Sequence, residues 1–299
     1  MSLLDADVLV IGCGPAGLQA AIHSARSKAS TVVVGRINGS AAYATKVENY
    51  FGTPGVADGT ELLMNGFRQA MAFGAEIVEG NILSASASDG LFHVTVETGL
   101  EITAKAVVLA TGVSRVKLNV PGEKELYGKG VSYCAVCDCN FYKGKVAAIV
   151  GSQSEAAVSA ELMTRYASKV YWVTPAPDAD ASLVSAAVSA GAEILDSAVT
   201  RINGDSKVSS ITLEDGREVA VDGVFIELGG RSSADLAMDF GAMPEMDDTL
   251  KVNSDCSTDV PGLFAAGDLT GRPWQVAKAV GQGATAGMAA SAYAKKVSE

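Results

Sequence analysis

The sequence predicts an α/β protein, and three stretches carry that prediction. Residues 7–35 read as strand, turn, helix and strand: DVLVI, GCGPAG, LQAAIHSARSK and STVVVG. A second set begins at 144, with GKVAAIVG, SEAAVSAELMTRYA and KVYWVTP. The third stretch is the C-terminal return, GLFAAGDLTG, followed by the helical run QGATAGMAASAYAKKV. A short apolar strand that ends in glycine and opens a helix is the unit that presents backbone N–H groups to a dinucleotide. Two such units and a return to the first give two Rossmann-like three-layer domains, the second inserted in the first. The boundaries read from the sequence are 1–117 with 245–299 for the split outer domain, and 118–244 for the central one.

The remaining elements follow in order. After the first unit comes an irregular loop, RINGSAAYATKVENYFGTPGV, then a helix over 59–73. AEIVEG, FHVTVET and LEITA alternate as half-buried strands do, and KAVVLATG reads as a buried strand. In the second unit a short helix (ASLVSAAVSAG), a strand pair (SSITLEDGREVAV) and the strand GVFIELG come after KVYWVTP. LNVPGE at 118–123 and FGAMPEMDD at 240–248 are rich in turn formers and are expected to be the crossings between domains.

Composition narrows the function. The chain has 299 residues, 48% of them hydrophobic, and a net charge of −11, which argues against nucleic acid as a partner. The acid excess lies in 170–260, whereas 115–169 is net basic and suits an anionic donor or partner. No apolar run is long enough for a membrane span. The start, MSLLDADVLVIG, lacks the basic region of a signal peptide, so a cytoplasmic location is expected. In a reducing compartment a Cys-x-x-Cys is more often catalytic or metal-binding than structural.

Four motifs carry chemistry. The first is Gly12-x-Gly14-Pro15-Ala16-Gly17, a dinucleotide loop in the right context. The second strand of this unit ends in Gly35-Arg36, where an acid for a ribose hydroxyl is commonly found. Cys13 reads as a small loop residue and His23 as structural. The second motif pairs Ala110-Thr111-Gly112 with Gly267-Asp268, two strand ends that close over a dinucleotide, with Asp268 placed to accept hydrogen bonds from a ribityl chain. The third is Cys134-Ala-Val-Cys137-Asp138, which reads as a reversible disulfide. Zinc is the competing reading, but the chain has no second Cys-x-x-Cys and only scattered further ligands, so no metal is expected. The fourth is a second loop, Gly151-Ser-Gln153-Ser-Glu155-Ala156.

GCGPAG, VENY at 47–50, ATG, SYCAVCD, AAGD and the Gln275-Val276 pair together make the chain resemble the low-molecular-weight thioredoxin reductases over nearly its whole length. The resemblance implies FAD in the split outer domain, with Asn49, Gln275 and Val276 among its contacts, and a homodimer. It implies that Cys137 faces the flavin, that Cys134 attacks a thioredoxin-like partner, and that Asp138 handles the thiol proton. The family usually has glycine where this chain has Cys139, which leaves packing or an extra exchangeable thiol.

The second loop departs from the NADPH-using members, whose pattern is Gly-x-Gly-x-x-Ala. Gln153 stands at the middle glycine and Glu155 adds an acid at the helix start. The following strand, expected to end in arginines for a 2′-phosphate, runs into Thr174-Pro-Ala-Pro-Asp178-Ala-Asp180. The chain therefore resembles the branches of the family that do not use pyridine nucleotides. With WQVAKAVGQG at 274–283 it most resembles the type fed by the reduced deazaflavin coenzyme F(420), whose acidic tail would face Lys278 or the Arg115–Lys129 stretch. Trp274 would flank the stacking space or simply pack. The ferredoxin-fed type comes next, followed by an NADPH-fed enzyme, a dithiol oxidase and a redox-sensing flavoprotein.

Overall fold

The computed structural model describes residues 3–112, 117–228, 233–245 and 248–298, with the side chain of Cys137 excepted. In chain order the first elements are β1 (Leu3–Ile11), α1 (Pro15–Arg26), β2 (Thr31–Val34), β3 (Lys46–Val47), β4 (Ala57–Asp58), α2 (Gly59–Ala72), β5 (Glu76–Val78), β6 (Ile82–Ser88), β7 (Leu91–Val96) and β8 (Glu101–Leu109). Next come β9 (Val131–Ser132), α3 (Ala135–Asp138), β10 (Val146–Val150), α4 (Ser154–Thr164), β11 (Lys169–Val173), α5 (Ala181–Ser189), β12 (Ala192–Leu195), β13 (Val199–Gly204), β14 (Val208–Leu213), β15 (Glu218–Ala220) and β16 (Gly223–Ile226). The chain ends with α6 (Ser233–Asp239), β17 (Leu263–Ala265) and α7 (Val276–Lys296). Two compact units result, 1–114 with 232–299 and 115–231.

The first unit is built on a sheet of order β5-β2-β1-β8-β7-β6, with β17 beside the C-terminal half of β8. β1 lies between two parallel neighbours, β2 and β8. Both of its faces are covered, which explains the unbroken apolar run VLVI. Val8 and Val10 face α1 and α7 through Ala16, Ala20, Ala286 and Ala290. Leu9 and Ile11 face the opposite layer, with Phe92, Val94, Leu236 and Phe240. α1 and α7 meet backbone to backbone: a Cβ on Gly283 would lie 2.2 Å from Ala16 O, and one on Gly287 2.3 Å from Ala20 O.

The second unit repeats the plan with a parallel sheet of order β12-β11-β10-β16-β9. Ala147, Ile149, Trp172 and Phe225 pack under α4 and α5. Ala148, Val150, Val173 and Ile226 pack under the antiparallel sheet β13-β14-β15. Among the described residues no helix is long and apolar enough to cross a membrane.

The crossings differ from the sequence boundaries. The chain enters the second unit at 115 rather than 118 and re-enters the first at 232 rather than 245. The reason for the second shift is α6. Its Leu236 and Ala237, with Phe240 just beyond it, complete the core beneath β1 and β8, so the turn-rich stretch 240–248 lies inside the first unit.

The α1–α7 contact has no room for a side chain at 283. Gly283→Val is expected to lower stability by about 1–3 kcal/mol or more, read as a fall in Tm, while Gly281→Ala, where an added Cβ meets nothing within 4 Å, leaves Tm unchanged or raised.

Candidate functional site

In the first unit the GCGPAG turn joins β1 to α1, and each glycine has its own physical reason. Gly12 sits at φ +116°, and a Cβ there would lie 2.3 Å from Ala110 O at the end of β8. A Cβ on Gly17 would lie 1.8 Å from Gly12 O. These two glycines are required by the fold itself. Gly14 differs. Its φ of −79° is open to any residue, and a Cβ would meet only Ser40 Oγ at 3.4 Å. Among the described residues nothing needs a bare backbone at Gly14, so the absent side chain leaves room for a ligand at the start of α1. Pro15 opens the helix without wasting an N–H group.

The remaining residues singled out in this unit fall into three sets. Ala110 is buried at the end of β8, and Thr111 Oγ1 donates to Ser233 Oγ at 2.5 Å. Ser233 also donates to Gly112 O at 3.4 Å. Gly35 has φ +155° and a Cβ there would crowd Cys13 N at 3.0 Å, while Arg36 pairs with Glu97 at 2.5 Å. Asn49 Nδ2 donates to Gln275 Oε1 at 2.8 Å, so two residues far apart in sequence meet. Gln275 caps α7 and Val276 begins it, with no acid in the first turn to oppose an anion.

Gly267 and Asp268 follow β17. Burial raises the Asp268 carboxyl above its usual range, and the Lys278 ammonium opposes that shift. Burial lowers Lys278 in turn, opposed by Asp268 and Cys256. Lys278 Nζ donates to Gly267 O at 3.0 Å and to Gly271 O at 2.5 Å. It is a half-buried clamp on this turn. Gln282 Oε1 accepts from Gly267 N at 3.0 Å and Thr270 Oγ1 at 2.8 Å. Trp274 is 47% exposed, and the Arg272 guanidinium covers one ring face at 4.3 Å from the centroid.

In the second unit β9 leads directly into the cysteines. Cys134 is disulfide-bonded and half-buried. The side chain of Cys137, three residues on, lies outside the described residues. Cys134 N–H donates to Ser132 Oγ at 3.1 Å, and Asp138 N–H to Cys134 O at 3.3 Å, so Cys134 and Asp138 bracket the single turn α3. Ala135 N–H donates to Glu227 Oε1 at 3.0 Å. Tyr133 donates to Glu123 at 2.6 Å, and Glu123 also accepts from Leu118 N at 3.0 Å and Asn119 N at 2.5 Å. The crossing segment is thus tied to the residue before the cysteines. Cys139 is buried against the helices of this unit and its thiol points to Val136 O at 3.5 Å, which supports packing. Among the described residues no cluster could hold a metal ion.

The second loop keeps one half of the logic seen in the first. Gly151 has φ +156°, and a Cβ there would lie 2.0 Å from Glu227 O and 3.1 Å from the Ala156 Cβ. The positions needed for packing are retained. The position equivalent to Gly14 is Gln153, the N-cap of α4, with an ordinary φ of −88°. Glu155 is buried in the first turn of α4 rather than projecting at its mouth. Asp178 N–H donates to Ser152 O at 2.7 Å, which folds the 174–180 segment onto the loop. Asp180 caps α5 through Ser182 N at 2.8 Å, and its bonds to Ser182 hold it below the usual carboxylate range.

A model of the family described as pyridine nucleotide-disulphide oxidoreductase matches residues 6–283. The thioredoxin reductase of Bacillus subtilis (strain 168) is 36% identical over 307 residues, covering 98% of this chain and 96% of that protein. The chain belongs to the thioredoxin reductases. The atypical thioredoxin reductase TRi from Desulfovibrio vulgaris Hildenborough superposes with a TM-score of 0.83 at 37% identity, covering 97% of this chain and 98% of the other. A ferredoxin-flavin thioredoxin reductase from Clostridium acetobutylicum superposes at 0.71 with 34% identity, covering 99% and 100%.

Three residues of this thioredoxin reductase site were not legible as motifs: Ser233, Gln282 and Glu227. Each acts through contacts with backbone and hydroxyl groups distant in sequence, which no local spacing marks. The three cysteines outside the Cys134–Cys137 motif, Cys13, Cys139 and Cys256, are buried and free. Burial, with Glu79 adding, pushes the Cys13 thiol up to about 12, and burial raises Cys256. These three are expected to resist maleimide in the folded protein at neutral pH and to react only after denaturation, as mass spectrometry would count.

Proposed function

We propose that this thioredoxin reductase carries FAD in its first unit and takes its electrons from a donor that does not bind as NADPH at the second loop. The observation that carries the donor reading is the contrast between Gly14 and Gln153. Both loops keep the first glycine, Gly12 or Gly151, that packing demands, and only the first keeps the middle one that a pyrophosphate would demand.

FAD fits the residues present. Gly14 leaves the start of α1 bare, Pro15 and the first turn of α1 offer no opposing charge, and Asp268 stands half-buried beside Gly267 as an acceptor for hydroxyls. Gln275, held by Asn49, and the first turn of α7 complete the cradle. When bound there, FAD supplies two-electron redox chemistry. The chain's own residues do the rest. Cys134 and Cys137 alternate between disulfide and dithiol. In the dithiol form the Cys134 thiolate attacks the partner disulfide, forming a mixed disulfide. Cys137 then displaces the reduced partner, so one partner disulfide becomes a dithiol as the enzyme dithiol becomes a disulfide. Asp138, at the end of α3, takes and returns the thiol proton. A thioredoxin-like protein is the partner, and the enzyme works as a homodimer.

An NADPH pyrophosphate would meet the Gln153 side chain, and its 2′-phosphate would find Asp178 and Asp180 where arginines are needed. Losing two charge-assisted phosphate contacts, at about 1.5–3 kcal/mol each, weakens binding by roughly two to four orders of magnitude. Reduced deazaflavin, docking on the flavin itself, is the reading the sequence favours. The bonded state of Lys278 removes one of its supports, and Arg115 lies outside the described residues. Reduced ferredoxin is the second reading, favoured by likeness to the ferredoxin-flavin thioredoxin reductase of Clostridium acetobutylicum.

Anaerobic stopped-flow mixing with NADPH, NADH, reduced deazaflavin and reduced ferredoxin separates these donors. The expected outcome is slow, non-saturating bleaching with either pyridine nucleotide and fast bleaching with one of the other two. Saturable bleaching by micromolar NADPH would overturn the donor reading.

Gly14→Ala tests the cofactor site. It is expected to leave the Tm of the flavin-free protein nearly unchanged, within about 0.5 kcal/mol, and to weaken FAD retention at least tenfold. Gly12→Ala instead lowers Tm as well, because its Cβ would strike Ala110 O.

A further inference from the structure

Lys278 stands where helix chemistry disfavours it. It is the third residue of α7, whose first turn holds no acid, and a cation in that turn opposes the helix dipole. It is also half-buried, and burial pulls its ammonium below the usual lysine range. A side chain that loses hydration and meets an unfavourable dipole needs local partners. Nζ finds them in Gly267 O at 3.0 Å and Gly271 O at 2.5 Å, so one ammonium closes both ends of the turn after β17. Gln282, one helical turn further on, holds the same turn by accepting from Gly267 N at 3.0 Å and Thr270 Oγ1 at 2.8 Å.

This turn carries Asp268. A Cβ on Gly267 would lie 2.9 Å from the Ala16 Cβ and 3.7 Å from the Ala279 Cβ, so the turn is wedged between the starts of α1 and α7. Its two clamps differ in one respect: Gln282 brings no charge and Lys278 does. Burial raises the Asp268 carboxyl, and the Lys278 ammonium opposes that rise. Asp268 and the Cys256 thiol act back on Lys278 in the raising direction. The charged groups on the other neighbouring segments are engaged elsewhere or lie further along the chain. Asp255 bears on Cys256, and the Arg272 guanidinium covers Trp274. Asp248 and Lys251 flank Leu250, whose N–H donates to Leu269 O at 2.9 Å, and the first turn of α1 holds no acid. Without the Lys278 ammonium, burial would act on Asp268 unopposed and the carboxyl would take up its proton at a higher pH.

We propose that Lys278 is a positioning residue for FAD: it locks the Gly267–Gly271 turn and supplies the counter-charge beside which Asp268 accepts the cofactor's hydroxyls. This role rests on the FAD reading above, and it deepens that reading by naming what sets the strength and the pH range of cofactor retention.

The test follows FAD release from the flavin-loaded full chain between pH 5 and 8, read as the rise of free-flavin fluorescence. Lys278→Met removes both the clamp and the charge. Release is expected to be roughly tenfold faster at pH 7, and the fall of retention on acidification is expected to begin at a higher pH than in wild type. Gln282→Ala loosens the same turn and changes no charge, so it is expected to speed release by one factor at every pH. Should Lys278→Met fold poorly, Lys278→Gln keeps an N–H donor without the charge and is expected to show the same displacement towards higher pH. Lys278→Arg restores the charge and is expected to return the profile to the wild-type position. Met and Gln variants that keep the wild-type profile, or a Gln282→Ala profile displaced as far as theirs, overturn the proposal. A wild-type chain that retains no FAD overturns the cofactor reading together with this role, whereas a wild-type chain that retains FAD beside variants that release it at the wild-type rate overturns this role alone.

Discussion

The first unit depends on a contact between bare backbones. β1 can turn into α1 beneath the end of β8 only because Gly12 and Gly17 have no Cβ, which would otherwise lie 2.3 Å from Ala110 O and 1.8 Å from Gly12 O. That turn fixes the start of α1, and α1 in turn fixes α7, whose Gly283 lies against Ala16. α7 then sets the positions of Gln275, Lys278 and Gln282, which hold Asn49 and the Gly267–Gly271 turn. Each step is a distance too short for a side chain, so the site's geometry is set by the close approach of elements rather than by loops free to adjust.

The second unit separates the positions of that device that packing requires from the one that it does not. Gly151 and Ala156 keep the strand-to-helix packing, with Gly151 pressed against Glu227 O. Gln153, in ordinary backbone geometry, has no fold-level penalty to oppose it. Packing therefore leaves the middle position of the loop open to change while it fixes Gly151 against Glu227 O. Asp178 and Asp180 fit the same account: one closes its segment onto Ser152 through its N–H group and the other caps a helix. Both are structural roles, made by a backbone N–H group in one case and by a capping carboxylate in the other.

Much of the fold was legible because its signals are local. The VLVI and VVLA runs mark strands covered on both faces, and glycine followed by proline marks the start of α1. The domain boundary at 245 was not legible. Turn formers at 240–248 outweighed the short apolar set Leu236, Ala237 and Phe240, whose destination in the first core is a long-range fact. The candidate site divides in the same way. The glycine loops and the Cys134–Asp138 stretch can be seen in a window of a few residues. The pairing of Asn49 with Gln275, the clamp made by Lys278 and the seat of Glu227 arise only when distant strands and helices come together. Glu155 shows the limit from the other side: in sequence it stands at a helix mouth, yet the helix turns it inward.

The two units seat their buried acids on different partners. Asp268 is raised by desolvation, and the nearby Lys278 ammonium opposes that shift. Lys278 is itself fixed by the carbonyls of Gly267 and Gly271, so the side chain that holds the turn also sits beside its acid. Glu227 accepts from Ala135 N–H and from Ser159 Oγ. One carboxyl oxygen thus joins the end of β16 to the start of α3 and to α4. The stretch that carries Cys134 is therefore set by packed elements rather than by a loop free to adjust.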